Sequence, residues 1–281
     1  MAKVLLVAFS CCPGMGSEAG IGWNYALRLS RRHELTLLTT HEFRRELEAY
    51  LAANPQVRMR IVYRASLLPR KLMVKSYATA NLYYYLWQLT IIPTIRRLQR
   101  REQYDLVHHV NWGRYWMPAG AAFAGAPFVW GPVGAAEHAS VAMLKGMTVR
   151  GKIAEITRNF MRRLLEMDPL TRLTVRRADC AIAATRETQA RLRAWNPVCL
   201  ELLSSVGIGP EDLSGLLPES TRDCLPAAAP SPAGDLASGD VAYDFVSIGR
   251  LLDWKGFHLG LRAFAQAGRA GMKYAVIGEG P

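Results

Sequence analysis

Val4-Leu5-Leu6-Val7-Ala8-Phe9 runs directly into Ser10-Cys11-Cys12-Pro13-Gly14-Met15-Gly16-Ser17. Six consecutive apolar side chains leave no polar face. A strand made of them is covered on both sides, as interior strands of parallel sheets are. The Pro- and Gly-bearing stretch ends that strand. A helix is expected to about Arg32, and Leu35-Thr36-Leu37-Leu38-Thr39 forms the next strand. Strand, glycine-rich loop, helix, strand is a βαβ unit, the crossover that parallel pairing requires.

Working outward, further strands are expected at residues 106–110, 128–130 and 180–183, with helical stretches between them. This alternation predicts a doubly wound, Rossmann-like α/β domain over residues 1–208. Residues 209–240 read as a linker, because the composition turns to Pro, Ala, Ser, Gly and Asp without hydrophobic periodicity. A second βαβ unit is expected in residues 241–281. A strand over 243–248 is followed by Gly249-Arg250-Leu251-Leu252-Asp253-Trp254-Lys255-Gly256, and a helix then carries Phe257, Leu261 and Phe264 on one face. Tyr274-Ala275-Val276-Ile277 is the next strand, with Gly278-Glu279-Gly280-Pro281 as its loop. Two strands and one helix bury too little for a Rossmann-sized sheet, so this segment reads as the first part of a second such domain, incomplete within these residues.

Half of the 281 residues are apolar, enough for a core and against disorder. The net charge of +12 is unevenly distributed. Residues 49–101 contain no Asp or Glu but include Arg58, Arg60, Arg64, Arg70, Lys71, Lys75, Arg96, Arg97, Arg100 and Arg101. Such a stretch suggests an anionic partner, whether a phosphate-bearing substrate, acidic lipid headgroups or nucleic acid, the alternative being a solvated face that keeps the protein soluble. An anionic membrane surface fits, with Tyr83, Tyr84, Tyr85 and Trp87 as interfacial side chains. Nucleic acid is not expected, because no RNA- or DNA-binding motif accompanies the charge. The five cysteines show no ligand spacing, and Met1-Ala2-Lys3 leads straight into a strand, so a reduced, cytoplasmic protein is expected, peripheral at the membrane at most. The apolar run at 82–95 is too short to span a bilayer.

Three places could carry chemistry. The loop Gly14-Met15-Gly16-Ser17-Glu18-Ala19-Gly20 would place free amides of a helix N-terminus against an anion. Its glycines miss Gly-x-Gly-x-x-Gly by one residue, and the second strand ends in Thr39-Thr40-His41 rather than an acid, which argues against a nicotinamide cofactor. Arg250 and Lys255 flank a strand-to-helix turn, an arrangement suited to clamping a diphosphate. His108 and His109 end a buried strand at the edge where open α/β sheets bind ligands, and alternation allows at most one of them to face a cleft. Trp130-Gly131-Pro132-Val133-Gly134-Ala135-Ala136-Glu137-His138 forms a second turn at that edge. No metal site is expected.

The block Ser247-Ile248-Gly249-Arg250-Leu251, Lys255-Gly256 and Val276-Ile277-Gly278-Glu279-Gly280-Pro281 resembles the start of the donor-binding domain of GT-B glycosyltransferases of family 4. The first glycine loop, the strand from Asp105 to His109, Arg177-Ala178-Asp179 and Ser204-Ser205-Val206-Gly207-Ile208 resemble that family's N-terminal domain, in order. The resemblance implies sugar transfer from a nucleoside-diphosphate-sugar to a saccharide or lipid-linked acceptor, with retention and no catalytic metal, in cell-surface polysaccharide or glycolipid synthesis. It implies that Arg250 and Lys255 hold the donor pyrophosphate and that Gly14 and Gly16 lie near the donor phosphates. Gly278 and Gly280 would complete the donor side. A histidine ending the fourth strand would contact the donor sugar. Many members carry it five residues after the Asp, where this chain has Val110, so His109 and then His108 take that role. The family's acidic pair, Glu-x7-Glu, belongs beyond the position of Pro281, so residues 1–281 alone are expected to be inactive. The alternative is an inactive protein that keeps a phosphosugar or lipid-phosphate site.

Overall fold

The computed structural model describes residues 1–67, 77–138, 144–206, 243–252, 255–268 and 270–280. Arg70, Lys71, Lys75, Gly207 and Ile208, together with the whole of the expected linker, lie outside them. The chain divides into two compact units, one of Met1–His138 with Ile156–Ser205, the other of Ala139–Glu155 with Val206–Pro281.

The first unit holds seven strands in one sheet: β1 (Lys3–Ala8), β2 (Glu34–Thr39), β3 (Arg60–Tyr63), β4 (Leu106–Val110), β5 (Phe128–Val133), β6 (Cys180–Ala183) and β7 (Leu200–Leu202). Their order is β3-β2-β1-β4-β5-β6-β7, and every pairing is parallel. The order reverses between β1 and β4, which makes their carboxyl ends the switch point of a doubly wound sheet. β1 is buried along almost its whole length, as its apolar run requires. Leu5, Val7 and Phe9 join one core, while Val4, Leu6 and Ala8 join the other, so the two faces of the sheet carry separate cores.

Helix α1 (Ser17–Ser30) packs Trp23 and Ala26 into the second core, beside Leu47 of α2 (Arg44–Ala53). α3 (Tyr77–Glu102) crosses the first core and contributes Tyr83, Tyr84, Trp87, Ile91, Ile95 and Leu98. Trp87 is fully buried and its indole N–H donates to the Arg64 carbonyl, 2.9 Å. The expectation that Tyr83, Tyr84 and Trp87 meet a membrane is therefore corrected: they are core residues. Tyr85 is half-buried and donates to Asp168. Pro93 lies inside α3 but does not end it, since tertiary packing on both sides holds the helix. α4 (Val149–Glu166), α5 (Pro169–Arg177) and α6 (Arg186–Arg193) follow. Among the described residues, no helix is long and apolar enough to cross a membrane.

The second unit contains β8 (Phe245–Ile248) and β9 (Tyr274–Ile277), paired in parallel through α7 (Phe257–Ala267). Phe245, Phe264 and Tyr274 contact one another edge to face. Phe245, Val246, Ile248 and Ile277 are nonetheless exposed.

Candidate functional site

The switch point is built by two loops pinned to each other. After β1, the chain turns at Gly14 (φ +69°) and enters α1 through Gly16. A Cβ on Gly20 would meet the Met15 carbonyl oxygen at 2.0 Å, and one on Gly22 would meet the Ser10 carbonyl oxygen at 2.3 Å. These two glycines let α1 press against its own loop. A Cβ on Gly14 or Gly16 would meet nothing within 4 Å, so both open onto space that a ligand could fill.

After β4, Asn111 and Trp112 both adopt left-handed backbone, φ +55° and +44°. Asn111 donates through Nδ2 to the Ser10 carbonyl and, at 2.9 Å, to the Glu18 carbonyl. The Trp112 N–H donates to Glu18 Oε2, 2.6 Å. Burial pushes the Glu18 carboxyl above the usual glutamate range, with the Trp112 N–H and the charge of Arg114 pulling it partly back. Trp112 stacks on Tyr84 at 5.6 Å, and the Arg114 guanidinium lies 4.9 Å from the Trp112 ring centroid while bonding to Asn81. A cation resting on aromatic rings beside a glycine loop suits an anionic or sugar-bearing ligand.

His108 and His109 lie beneath this floor, not on it. His109 is fully buried, its Nε2 2.9 Å from Tyr84 Oη. His108 Nε2 meets the Gly131 carbonyl at 2.8 Å, which makes that nitrogen the donor. Burial pulls both rings down, His108 to about 4 and His109 to about 3, so both are neutral at pH 7. The expectation that one of them faces a cleft gives way here, because α3 covers His109 and the β5 turn caps His108. His109 Nδ1 has no hydrogen-bond partner.

A second polar group gathers at the carboxyl ends of β5 and β6. Thr185 donates to Glu137, and Arg162, almost wholly buried, donates to His138 Nδ1 at 2.7 Å. Among the described residues, no three His, Cys, Asp or Glu side chains gather as a metal site.

In the second unit, Arg250 and Lys255 belong to the single loop between β8 and α7. Both side chains are exposed, and Gly256, the N-cap of α7, is left-handed at φ +73°. The loop after β9 runs alongside. Gly249 N–H donates to Ile277 and Leu251 N–H to Glu279, 2.9 and 2.7 Å. A Cβ on Gly278 would fall 1.8 Å from the Gly249 oxygen, and one on Gly280 would fall 2.8 Å from Leu251. The close approach of the two loops is thus a packing reason for both glycines. Arg250, Lys255, Gly278 and Gly280 share one edge of this small sheet.

Residues 16–198 match the family model described as the glycosyl transferase 4-like domain, well over half of the chain. The chain belongs to that family. No curated protein matches its sequence. Among solved structures, the glycosyltransferase 4-like chain is similar to a glycosyltransferase from Rickettsia africae ESF-5, at 12% identity and TM-score 0.48, covering 99% of this chain and 60% of that one. It is also similar to the glycotransferase of kitacinnamycin, at 12% identity and TM-score 0.45, covering 98% and 65%. A UDP-GlcNAc 2-epimerase from Neisseria meningitidis bound to UDP-GlcNAc aligns at 14% identity and TM-score 0.45, covering 99% and 66%. The glycosyltransferase 4-like chain therefore spans about two thirds or less of these proteins.

Sequence reasoning did not single out Glu18, Asn111, Trp112 and Arg114 as a unit, nor Tyr84 as the partner of His109. Asn111 carried a local signal, since Asn directly after a buried strand tolerates left-handed backbone. Glu18 carried the weaker signal of an acid in the first turn of α1. Nothing near Tyr84 in the chain announces its contact, which spans 25 residues.

Proposed function

We propose that this family member transfers a sugar from a nucleoside-diphosphate-sugar to a saccharide or lipid-linked acceptor, with retained configuration and without a catalytic metal, in cell-surface polysaccharide or glycolipid synthesis. The observation that carries this reading is the pair Arg250 and Lys255, exposed on one loop at the amino end of α7. As the donor bond breaks, negative charge grows on the departing diphosphate. Two cations and the free amides of a helix N-terminus stabilise that charge, the work a divalent metal performs in other transferases. In the first unit, Gly14 and Gly16 leave open space against the amides that begin α1, and Arg114 on Trp112 offers a cation beside it. His109, neutral and braced by Tyr84, holds one ring nitrogen unpaired. Under this reading, that nitrogen accepts a hydrogen bond from a donor-sugar hydroxyl once the covering side chains yield. His108 serves as packing against the β5 turn.

The test is calorimetric binding of UDP, GDP, ADP and TDP to the purified protein. A diphosphate should bind measurably more tightly than the matching monophosphate. Arg250→Ala combined with Lys255→Ala should weaken it at least about tenfold, the cost of lost charge-assisted bonds. Equal affinity for mono- and diphosphate, or no effect of the double variant, would sink the clamp.

A further inference from the structure

His138, in the turn after β5, stands between two arginines of the same compact unit. Arg162 Nη2 lies 2.7 Å from its Nδ1, and Arg191 Nη2 lies 3.4 Å from its Nε2. A guanidinium only donates, and a neutral imidazole holds one donor and one acceptor. The shorter contact makes Nδ1 the acceptor, so the ring proton sits on Nε2. That N–H and the Arg191 guanidinium are therefore two donors side by side. Both side chains are exposed, so the pair opens to solvent. A single oxygen atom about 2.8 Å from each nitrogen would accept from both.

The charge behind this pair favours an anion. Arg162 is only 4% exposed, and among the described residues its hydrogen-bond partner is His138. Among the same residues, neither Arg162 nor Arg191 forms an ion pair with a carboxylate. The two nearby acids are engaged elsewhere: Glu137 accepts from the Thr185 hydroxyl and Glu166 from the Tyr115 hydroxyl. Burial and Glu166 raise the Tyr115 phenol, while the charges of Arg162 and Arg191 both pull it back, so the two guanidiniums act on one small region. A buried cation that meets only a neutral acceptor is costly, and an anion arriving over His138 offsets that cost. From this geometry we propose that His138 and Arg191, backed by Arg162, bind a phosphoryl group at the carboxyl ends of β5 and β6. A forked guanidinium with a second positive charge behind it suits a phosphoryl dianion better than a carboxylate. The acceptor is then a phosphate-bearing saccharide whose phosphoryl group sits here. That last step rests on the sugar-transfer reading, whereas the phosphoryl site itself does not.

The test is calorimetric titration of the purified chain with glucose 1-phosphate, glucuronate and glucose. Glucose 1-phosphate should bind, glucuronate should bind more weakly, and glucose should not bind. His138→Ala and Arg191→Gln should each weaken glucose 1-phosphate at least about tenfold, the cost of a lost charge-assisted bond. Because both side chains are exposed, these variants should melt like the parent. Nitrogen NMR of the imidazole should find His138 protonated on Nε2, with that resonance moving as inorganic phosphate is added. Arg250→Ala with Lys255→Ala should leave glucose 1-phosphate binding unchanged, and Arg191→Gln should leave UDP binding unchanged. If glucose 1-phosphate binds and UDP does not, the sugar-transfer reading falls and the phosphoryl site stands. The site is overturned by a His138 ring protonated on Nδ1, or by glucuronate binding as tightly as glucose 1-phosphate. It is also overturned if binding survives both His138→Ala and Arg191→Gln, or is lost only with Arg250 and Lys255.

Discussion

Glu18 and Trp112, 94 residues apart, are joined by a 2.6 Å hydrogen bond from the Trp112 N–H to Glu18 Oε2. This bond ties the first turn of α1 to the loop after β4, the two elements that make the switch-point crevice. Burial raises the Glu18 carboxyl, so the folded state holds that proton more tightly than the unfolded state. The stability this group contributes is therefore present below the unfolded glutamate value and fades as pH rises through the raised folded value. Glu18→Gln keeps an acceptor for Trp112 and removes the charge. It should be neutral or stabilising at pH 7 and should flatten the pH dependence of urea unfolding above about pH 4.3. Glu18→Ala strands the N–H and should cost about 1–2 kcal/mol at pH 7. A Gln variant less stable than the Ala variant would contradict this account.

The buried histidines titrate in the opposite sense. Their folded values, about 4 and about 3, lie below the unfolded one, so their stability is present above about pH 6.5 and is lost as pH falls toward the folded values. At pH 5 each should cost roughly 2 kcal/mol relative to pH 7. Chemical unfolding of His109→Gln at the two pH values should show a visibly smaller loss than the parent. An identical loss would mean that His109 is not the group being protonated.

The glycines after β1 should separate by role. Gly20→Ala puts a methyl group against the Met15 carbonyl and should destabilise by about 2 kcal/mol or more. Gly16→Ala meets open space and should leave the melting temperature nearly unchanged while weakening binding of a nucleoside diphosphate or its sugar. If Gly16→Ala binds as the parent does, the loop faces no phosphate.

Cys180 and Cys199 bring their sulfurs to 3.2 Å, next to the Ala181–Leu200 pairing of β6 and β7. Excess oxidised glutathione should link them. One thiolate attacks the glutathione disulfide and releases glutathione, and the second thiolate displaces the mixed disulfide and releases another. Burial and its neighbour push the Cys180 thiol up to about 11, so the reaction should be slow at pH 7 and faster at pH 9. Peptide mapping should find the Cys180–Cys199 link, and Cys199→Ser should stop at the mixed disulfide or remain unmodified. Failure to link at pH 9 would show that the strands hold the sulfurs in an unreactive geometry.

What was legible in the sequence was local and periodic. The apolar run of β1, the glycine break after it and the helix that follows are each written within about thirty residues, and together they specify a parallel, doubly wound sheet. The loop carrying Arg250 and Lys255 is likewise contiguous, so its two cations could be placed on one turn before any packing was known. Contacts between distant segments were not legible. His109 reads as a cleft residue from its place at a strand end, yet Tyr84, on a helix far earlier in the chain, covers it. The aromatic run on α3 reads as a membrane face until that helix lies across the first core. In α4 the period of the apolar residues is plain from 156 to 167, but periodicity reports only that a face exists. Whether that face turns inward or outward was decided by the partners of Arg162 and Glu166 on the opposite side, and tertiary structure alone supplies those.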